Sequence, residues 1–134
     1  LQAACFLWLG KVHRHYGIVL GSRAEFVRAI ECYGRALMLD STLGQAHLER
    51  GILLWRELDQ ASQAVADFNA ALALRPDWPE PIFCRGMAHQ SMGDYRAAIQ
   101  DLAAYIASDD QTWREHAIRQ LALIRALVQE GEKA

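Results

Sequence analysis

The chain has 134 residues, of which 52% are hydrophobic and 22% charged, and a formal net charge of −2. That length suits one domain with a real core, and the composition is too apolar for disorder. Lys and Arg are scattered among Asp and Glu without a continuous basic stripe, so no nucleic-acid partner is expected.

The three cysteines, Cys5, Cys32 and Cys84, are far apart and form no C-x-x-C pair. They are expected to be reduced, buried thiols of an intracellular, cytoplasmic protein. Leu1–Gly10 is apolar, but Lys11, His13, Arg14 and His15 end the run well before the roughly 18–20 residues of a membrane span. A signal peptide would carry its charge ahead of the apolar run rather than behind it. The expectation is a buried helix face and no membrane insertion. The chain begins at Leu1 rather than methionine, as a piece cut from a longer protein would.

Helix boundaries are well marked along the chain. Ser22 and Glu25 have the S-x-x-E spacing of a capping box, which predicts a helix start near residue 23. Phe26, Ala29, Ile30, Tyr33, Ala36 and Leu37 then follow a helical period. Asp40-Ser41-Thr42 breaks it, and Thr42 with Gln45 forms a second predicted box. Leu48, Ile52 and Trp55 make one stripe of the next helix, with Gly51, Leu54 and Leu58 on the neighbouring face. Asp59 is the predicted cap of a helix carrying Ala64, Val65, Phe68, Ala71, Leu72 and Leu74, which Arg75-Pro76-Asp77 ends.

Asp77 and Glu80 form another cap-like pair, and Pro79 falls in a first turn, where its missing N–H is harmless. Gly93 suits a left-handed helix end, and Asp94 caps a helix buried through Tyr95, Ala98, Ile99, Leu102 and Ile106. Thr112 and Glu115 open a last helix reaching about Gln129. Nothing reads as a strand.

These elements repeat. Gly17, Gly51 and Gly86 lie 34 and 35 residues apart; Ala29, Ala64 and Ala98 repeat at 35 and 34, as do Tyr33, Phe68 and Leu102. A period in this range means one supersecondary unit stacked several times. The set Gly51, Ala64, Phe68, Ala71-Leu72 and Pro76, with its counterparts around Gly86 and Gly17, resembles the tetratricopeptide repeat (TPR), a 34-residue helix–turn–helix unit. The resemblance covers roughly residues 10–110.

It implies an all-α fold: a right-handed superhelical solenoid of antiparallel helix pairs, about seven helices in one domain over residues 1–134. The repeats would span about 10–42, 43–77 and 78–111, with a capping helix at about 112–129. Gly10 fits the first helix pattern as well as Gly17 does, and one long helix from about residue 2 to 21 would satisfy both registers. Several positions depart from the family pattern. His13, His47 and Ile82 replace an aromatic, and Tyr16, Arg50 and Arg85 replace the leucine before the glycine. Tyr105 stands for a small alanine and Asp110 for the proline. These departures are expected to weaken packing locally.

Chemistry is sparse. His13 and His15 point to different sides of a helix, His47, His89 and His116 are isolated, and no metalloprotease, nucleophile-elbow, P-loop or dinucleotide motif occurs. No catalytic residue, metal or cofactor is expected, and the segment does not read as an enzyme.

The resemblance instead implies a concave groove lined by the first helix of each repeat. Carried over, its positions are Lys11, Arg14 and Ile18, then Gln45, Leu48, Ile52 and Trp55, then Glu80, Phe83, Met87 and Gln90. The Lys/Asn clamp by which some members grip a C-terminal carboxylate is absent, because those positions hold Arg14, Ile18, Glu49, Glu80 and Cys84. The expected function is a protein-interaction scaffold that buries apolar residues of a partner peptide or helix, with Lys11 and Arg14 orienting an acidic flank. The alternative is a structural module whose groove is covered by the rest of a larger parent protein or by a second copy of the chain.

Overall fold

The structure is a computed structural model that describes residues 2–133. Among these residues there are seven α-helices and no strand: α1 (Ala3–Leu20), α2 (Arg23–Leu39), α3 (Gly44–Arg56), α4 (Ala61–Leu74), α5 (Pro79–Ser91), α6 (Tyr95–Ala107) and α7 (Arg114–Lys133). They form two compact units, residues 1–76 with α1–α4 and residues 77–134 with α5–α7.

In the first unit α1 pairs with α2 and α3 with α4, and α2 packs on α3. In the second, α5 pairs with α6 and α6 with α7. Each hairpin is closed by side chains at the same three positions. Ala29, Tyr33 and Ala36 of α2, Ala64, Phe68 and Ala71 of α4, and Ala98, Leu102 and Tyr105 of α6 are all fully buried. The alanines let the paired axes come close, and the large residue between them fills the space beside the glycine of the opposite helix. A Cβ on Gly51 would stand 2.6 Å from Phe68 Cε1, and one on Gly86 3.0 Å from Asp101 Cβ and 3.3 Å from Leu102 Cγ. The two glycines therefore occupy equivalent places.

In the first hairpin the glycine facing the equivalent ring is Gly10, whose Cβ would stand 2.3 Å from Tyr33 Cε1. Gly17, the one in sequence register, faces Phe26 instead. The cause is the turn. Gly21, at φ 61°, and Ser22 alone join α1 to α2, so the close-approach glycine moves two helical turns back along a longer helix.

The capping expectations divide. Ser22 accepts from the Glu25 N–H at 3.3 Å and Asp94 from the Ala97 N–H at 3.4 Å, as the sequence predicts. Thr42 does not cap α3: its N–H and hydroxyl both bond Asp40 Oδ1, and Leu43 takes the N-cap position. Asp59 does not cap α4 either: it adopts φ 54°, and Gln60 precedes the helix. Trp78, rather than Asp77, is the N-cap of α5, with Pro79 in its first turn. The last helix starts two residues later than predicted and reaches Lys133. The thiols also differ from expectation: Cys84 is buried, Cys32 half-buried and Cys5 exposed.

Candidate functional site

Seven of the predicted groove residues lie on α1 and α3 of the first unit. Ile18 is exposed, while Lys11, Arg14, Gln45, Ile52 and Trp55 are half-buried. Leu48 does not line an open surface: it is fully buried. Its i, i+4, i+7 spacing with Ile52 and Trp55 reports a helix stripe, and that stripe runs from core to surface. Arg14 is not free to orient an acidic flank either. Its guanidinium donates to Glu49 Oε2 at 2.6 Å, and the Gln45 amide donates to Glu49 Oε1 at 3.0 Å. Glu49 is buried and ties α1 to α3, so the cation is neutralised within the unit.

In the second unit Glu80, Met87 and Gln90 of α5 are half-buried. Phe83 is buried and is a core residue rather than groove lining. The Trp113 ring stacks on it at 5.6 Å and 9°, with Tyr105 at 5.2 Å and His116 at 6.0 Å. The Gln90 amide donates to Gln120 Oε1 at 2.9 Å. The capping helix thus takes up two of the four α5 positions.

Charge pairs between helices are what reading the sequence missed. Arg50 of α3 grips Asp67 of α4 with two bonds of 2.8 and 2.7 Å, and His47 adds a contact at 3.2 Å. Arg85 of α5 grips Asp101 of α6 at 2.9 and 2.7 Å. Both aspartates are buried, and the bond to Asp67 holds the Arg50 guanidinium above its usual range. The arginines that replace the pattern's leucine therefore come with partners rather than as packing defects. A signal existed: each arginine directly precedes a close-approach glycine, and each aspartate directly precedes the facing Phe68 or Leu102.

Tyr105 and Asp110 form a third compensated departure. The Tyr105 hydroxyl donates to Asp110 Oδ2 at 2.5 Å and accepts from the Trp113 N–H at 2.8 Å. This pins the α6–α7 connection. Burial, reinforced by the carboxylate, pushes the Tyr105 phenol up to about 12. The same bond holds Asp110 below the usual carboxylate range.

Three of the five histidines, His13, His47 and His89, lie against carboxylates. His13 lies 2.6 Å from Glu25, whose carboxyl that bond depresses, and His89 lies within 4 Å of both Asp94 and Asp101. Among the described residues no group of three or more His, Cys, Asp or Glu is placed to hold a metal ion. No helix among them is long and apolar enough to cross a membrane.

No protein-family model matches the chain. It is similar to the probable serine/threonine-protein kinase BSK3 of Oryza sativa subsp. japonica, 29% identical over 87 residues. The match covers 63% of this chain and 18% of the rice protein's length. Among solved structures, it is similar to the second TPR domain of human RPAP3 in complex with the HSP70 peptide SGPTIEEVD. The TM-score is 0.75 at 20% identity, over 92% of this chain and 98% of that one. The first TPR of Spaghetti (RPAP3), bound to the HSP90 peptide SRMEEVD, gives a TM-score of 0.74 at 20% identity, covering 92% and 95%. With paired helices closed by glycine, alanine and aromatic at matching heights, the chain has the tetratricopeptide-repeat fold.

Proposed function

We propose that this chain is a protein-interaction module that binds a segment of a partner protein through half-buried apolar side chains on the first helices of its hairpins. The observation that carries this is the fold's likeness to domains solved with peptides bound. In support, each unit has half-buried apolar side chains on a first helix, Ile52 and Trp55 of α3 in one and Met87 of α5 in the other. A partner of the kind in those two complexes, ending EEVD, is not favoured here. Arg14 is neutralised by Glu49, and the other clamp positions supply Ile18, Glu80 and Cys84 in place of Lys and Asn. The preferred segment is apolar rather than acidic.

No catalytic role is proposed for these residues. The chain contains no glycine-rich phosphate loop and no H-R-D or D-F-G triplet, so the partial likeness to a kinase brings none of that chemistry with it.

Peptides selected from a displayed library on the wild-type chain, then measured by calorimetry, test the reading. Trp55→Ala or Met87→Glu should each weaken binding by about tenfold or more, as loss of a buried anchor does, with the helical circular dichroism retained. Selected peptides that bind both variants as tightly as wild type would place the contact elsewhere.

A second reading has its own observation. Leu123 and Leu127 of α7, one helical turn apart, are 50% and 42% exposed, an apolar stripe on the capping helix that another part of the polypeptide or a second copy would cover. Light scattering across concentrations tests the second-copy version, because a strict monomer excludes self-association.

A further inference from the structure

Apolar exposure gathers on the first helix, where Trp8, Tyr16, Ile18, Val19 and Leu20 are all exposed. Trp8, Tyr16 and Val19, at 65%, 50% and 63%, fall in one row with exposed Cys5 and half-buried Val12. The steps from Cys5 through Trp8, Val12 and Tyr16 to Val19 are three, four, four and three residues. The five side chains therefore lie within roughly 80° of one another around α1 and extend about 21 Å along it. No Asp, Glu, Lys or Arg belongs to the row, and Tyr16 meets the edge of the neighbouring His15 ring at 6.1 Å.

The same side of α3 is buried. Relative to the close-approach glycine, Cys5, Trp8 and Val12 stand where Ala46, Glu49 and Leu53 stand on α3. All three of the latter are buried, on a helix against which α2 packs. That stacking surface ends early. The counterparts of Tyr16 and Val19 are Glu57 and Gln60, beyond the end of α3 at Arg56. Half of the row on α1 thus lies outside the stacking pattern of the repeat, and covering all of it takes an element as long as α1 itself.

The order of the row selects a second copy as that element. Read backwards, the steps three, four, four, three are unchanged. A two-fold axis at Val12 therefore sets the row antiparallel on its own copy, with Val12 on Val12, Trp8 on Tyr16 and Cys5 on Val19. Each indole meets a phenol ring, a favourable aromatic pair made twice. Like charges are kept apart: Lys11 lies about 100° round the helix from the centre of the row, and a net charge of −2 gives little repulsion between copies. An unrelated amphipathic helix would gain nothing from the symmetry. Two aromatics and three smaller side chains present roughly 400 Å² per copy, about half of a standard interface, so the pairing is weak, with a Kd on the order of 100 μM.

We propose that the outer row of α1 is a self-association face, through which two copies of the chain pair antiparallel about Val12. The row shares no residue with the predicted groove positions of α1, Lys11, Arg14 and Ile18, so the inference stands without the interaction-module reading. It is also distinct from the exposed stripe of α7.

The test joins analytical ultracentrifugation of the full chain, from about 5 to 500 μM, to thiol cross-linking. A monomer–dimer equilibrium is expected. Trp8→Glu should weaken it by about tenfold or more with helical circular dichroism retained, and Leu123→Glu, on α7, should leave it unchanged. Under mild oxidation Val12→Cys should cross-link to its own copy, and Val19→Cys to the native Cys5 of the second copy, a bond that adding Cys5→Ala abolishes. Wild type, whose two Cys5 thiols would lie about 21 Å apart along the pair, should not cross-link, nor should Met38→Cys on α2. A strict monomer throughout the range, a dimer undiminished by Trp8→Glu or lost in Leu123→Glu, or Val19→Cys cross-linking without Cys5 would each overturn the proposal. A strict monomer would leave the row to a helix of another polypeptide.

Discussion

Removing Arg50 should cost more than removing the aspartate it holds, and the reason is burial. The Asp67 side chain is 6% exposed and the Arg50 side chain 28%. In Arg50→Leu the carboxylate stays dry, with only His47 at 3.2 Å to answer its charge. Breaking a buried pair from that side costs about 3 kcal/mol or somewhat more. In Asp67→Ala the guanidinium left behind can turn to solvent, so the loss is about 1–2 kcal/mol. The double variant Arg50→Leu/Asp67→Ala puts the repeat pattern's leucine back against an uncharged wall. It should lie within about 1–2 kcal/mol of wild type, because apolar replacement of a buried ion pair is often neutral. The coupling is then about 3 kcal/mol, at the top of the range for contacting residues. Urea unfolding followed by circular dichroism on all four proteins measures the cycle. Arg50→Leu within about 0.5 kcal/mol of wild type, or single effects that simply add, would refute a buried pair as the agent. The same cycle at Arg85 and Asp101 should give the same order of effects, since the bidentate geometry repeats.

Four further substitutions follow from the helix contacts. Gly10→Ala and Gly51→Ala drive a methyl to 2.3 and 2.6 Å from the rings of Tyr33 and Phe68 and should each destabilise by about 1–3 kcal/mol. Gly34→Ala meets nothing closer than the Arg50 side chain at 3.6 Å, in mid-helix, and should stabilise by about 0.5–1 kcal/mol; thermal melts read all three. Tyr105→Phe removes the hydroxyl that depresses Asp110, so its penalty should be full above the ordinary carboxylate pKa and shrink as pH falls through the lowered folded value. At the alkaline end, the stability supplied by the protonated phenol should be lost from about pH 10 towards about 12 in wild type and not in Tyr105→Phe; melts from pH 3 to 12 check both limbs.

The hairpin interior was legible because it depends on side-chain size at fixed intervals, and size is written in the sequence. Ala64, Phe68 and Ala71 bury against Gly51 whatever else surrounds them. Register in the first hairpin was not legible, because the two-residue turn at Gly21-Ser22 moves the facing glycine two helical turns back, and spacing alone registers both Gly10 and Gly17. The candidate surface was the least legible part. The side of a first helix that looks outward in one repeat is also the side the next helix packs on, so exposure at Leu48 or Phe83 depends on partners outside the repeat. Phe83 shows this directly, since Trp113 and His116, both beyond its own repeat, cover it beside Tyr105.

The departures from the repeat pattern carry more information about this chain than the matches do. A leucine-to-arginine change before each of two glycines would leave an unpaired charge beside a close helix contact, a cost of several kcal/mol that a marginally stable fold does not tolerate. Such a change persists only with an acid on the facing helix, and Asp67 and Asp101 are there. The same logic applies to Tyr105: a phenol forced into a slot meant for alanine needs a polar partner at its tip, and Asp110 stands where proline would have offered none. The matches specify how helices nest and are shared by any chain of this fold. The compensated departures are particular to this chain: two tie α3 to α4 and α5 to α6, and the third fixes the connection into α7.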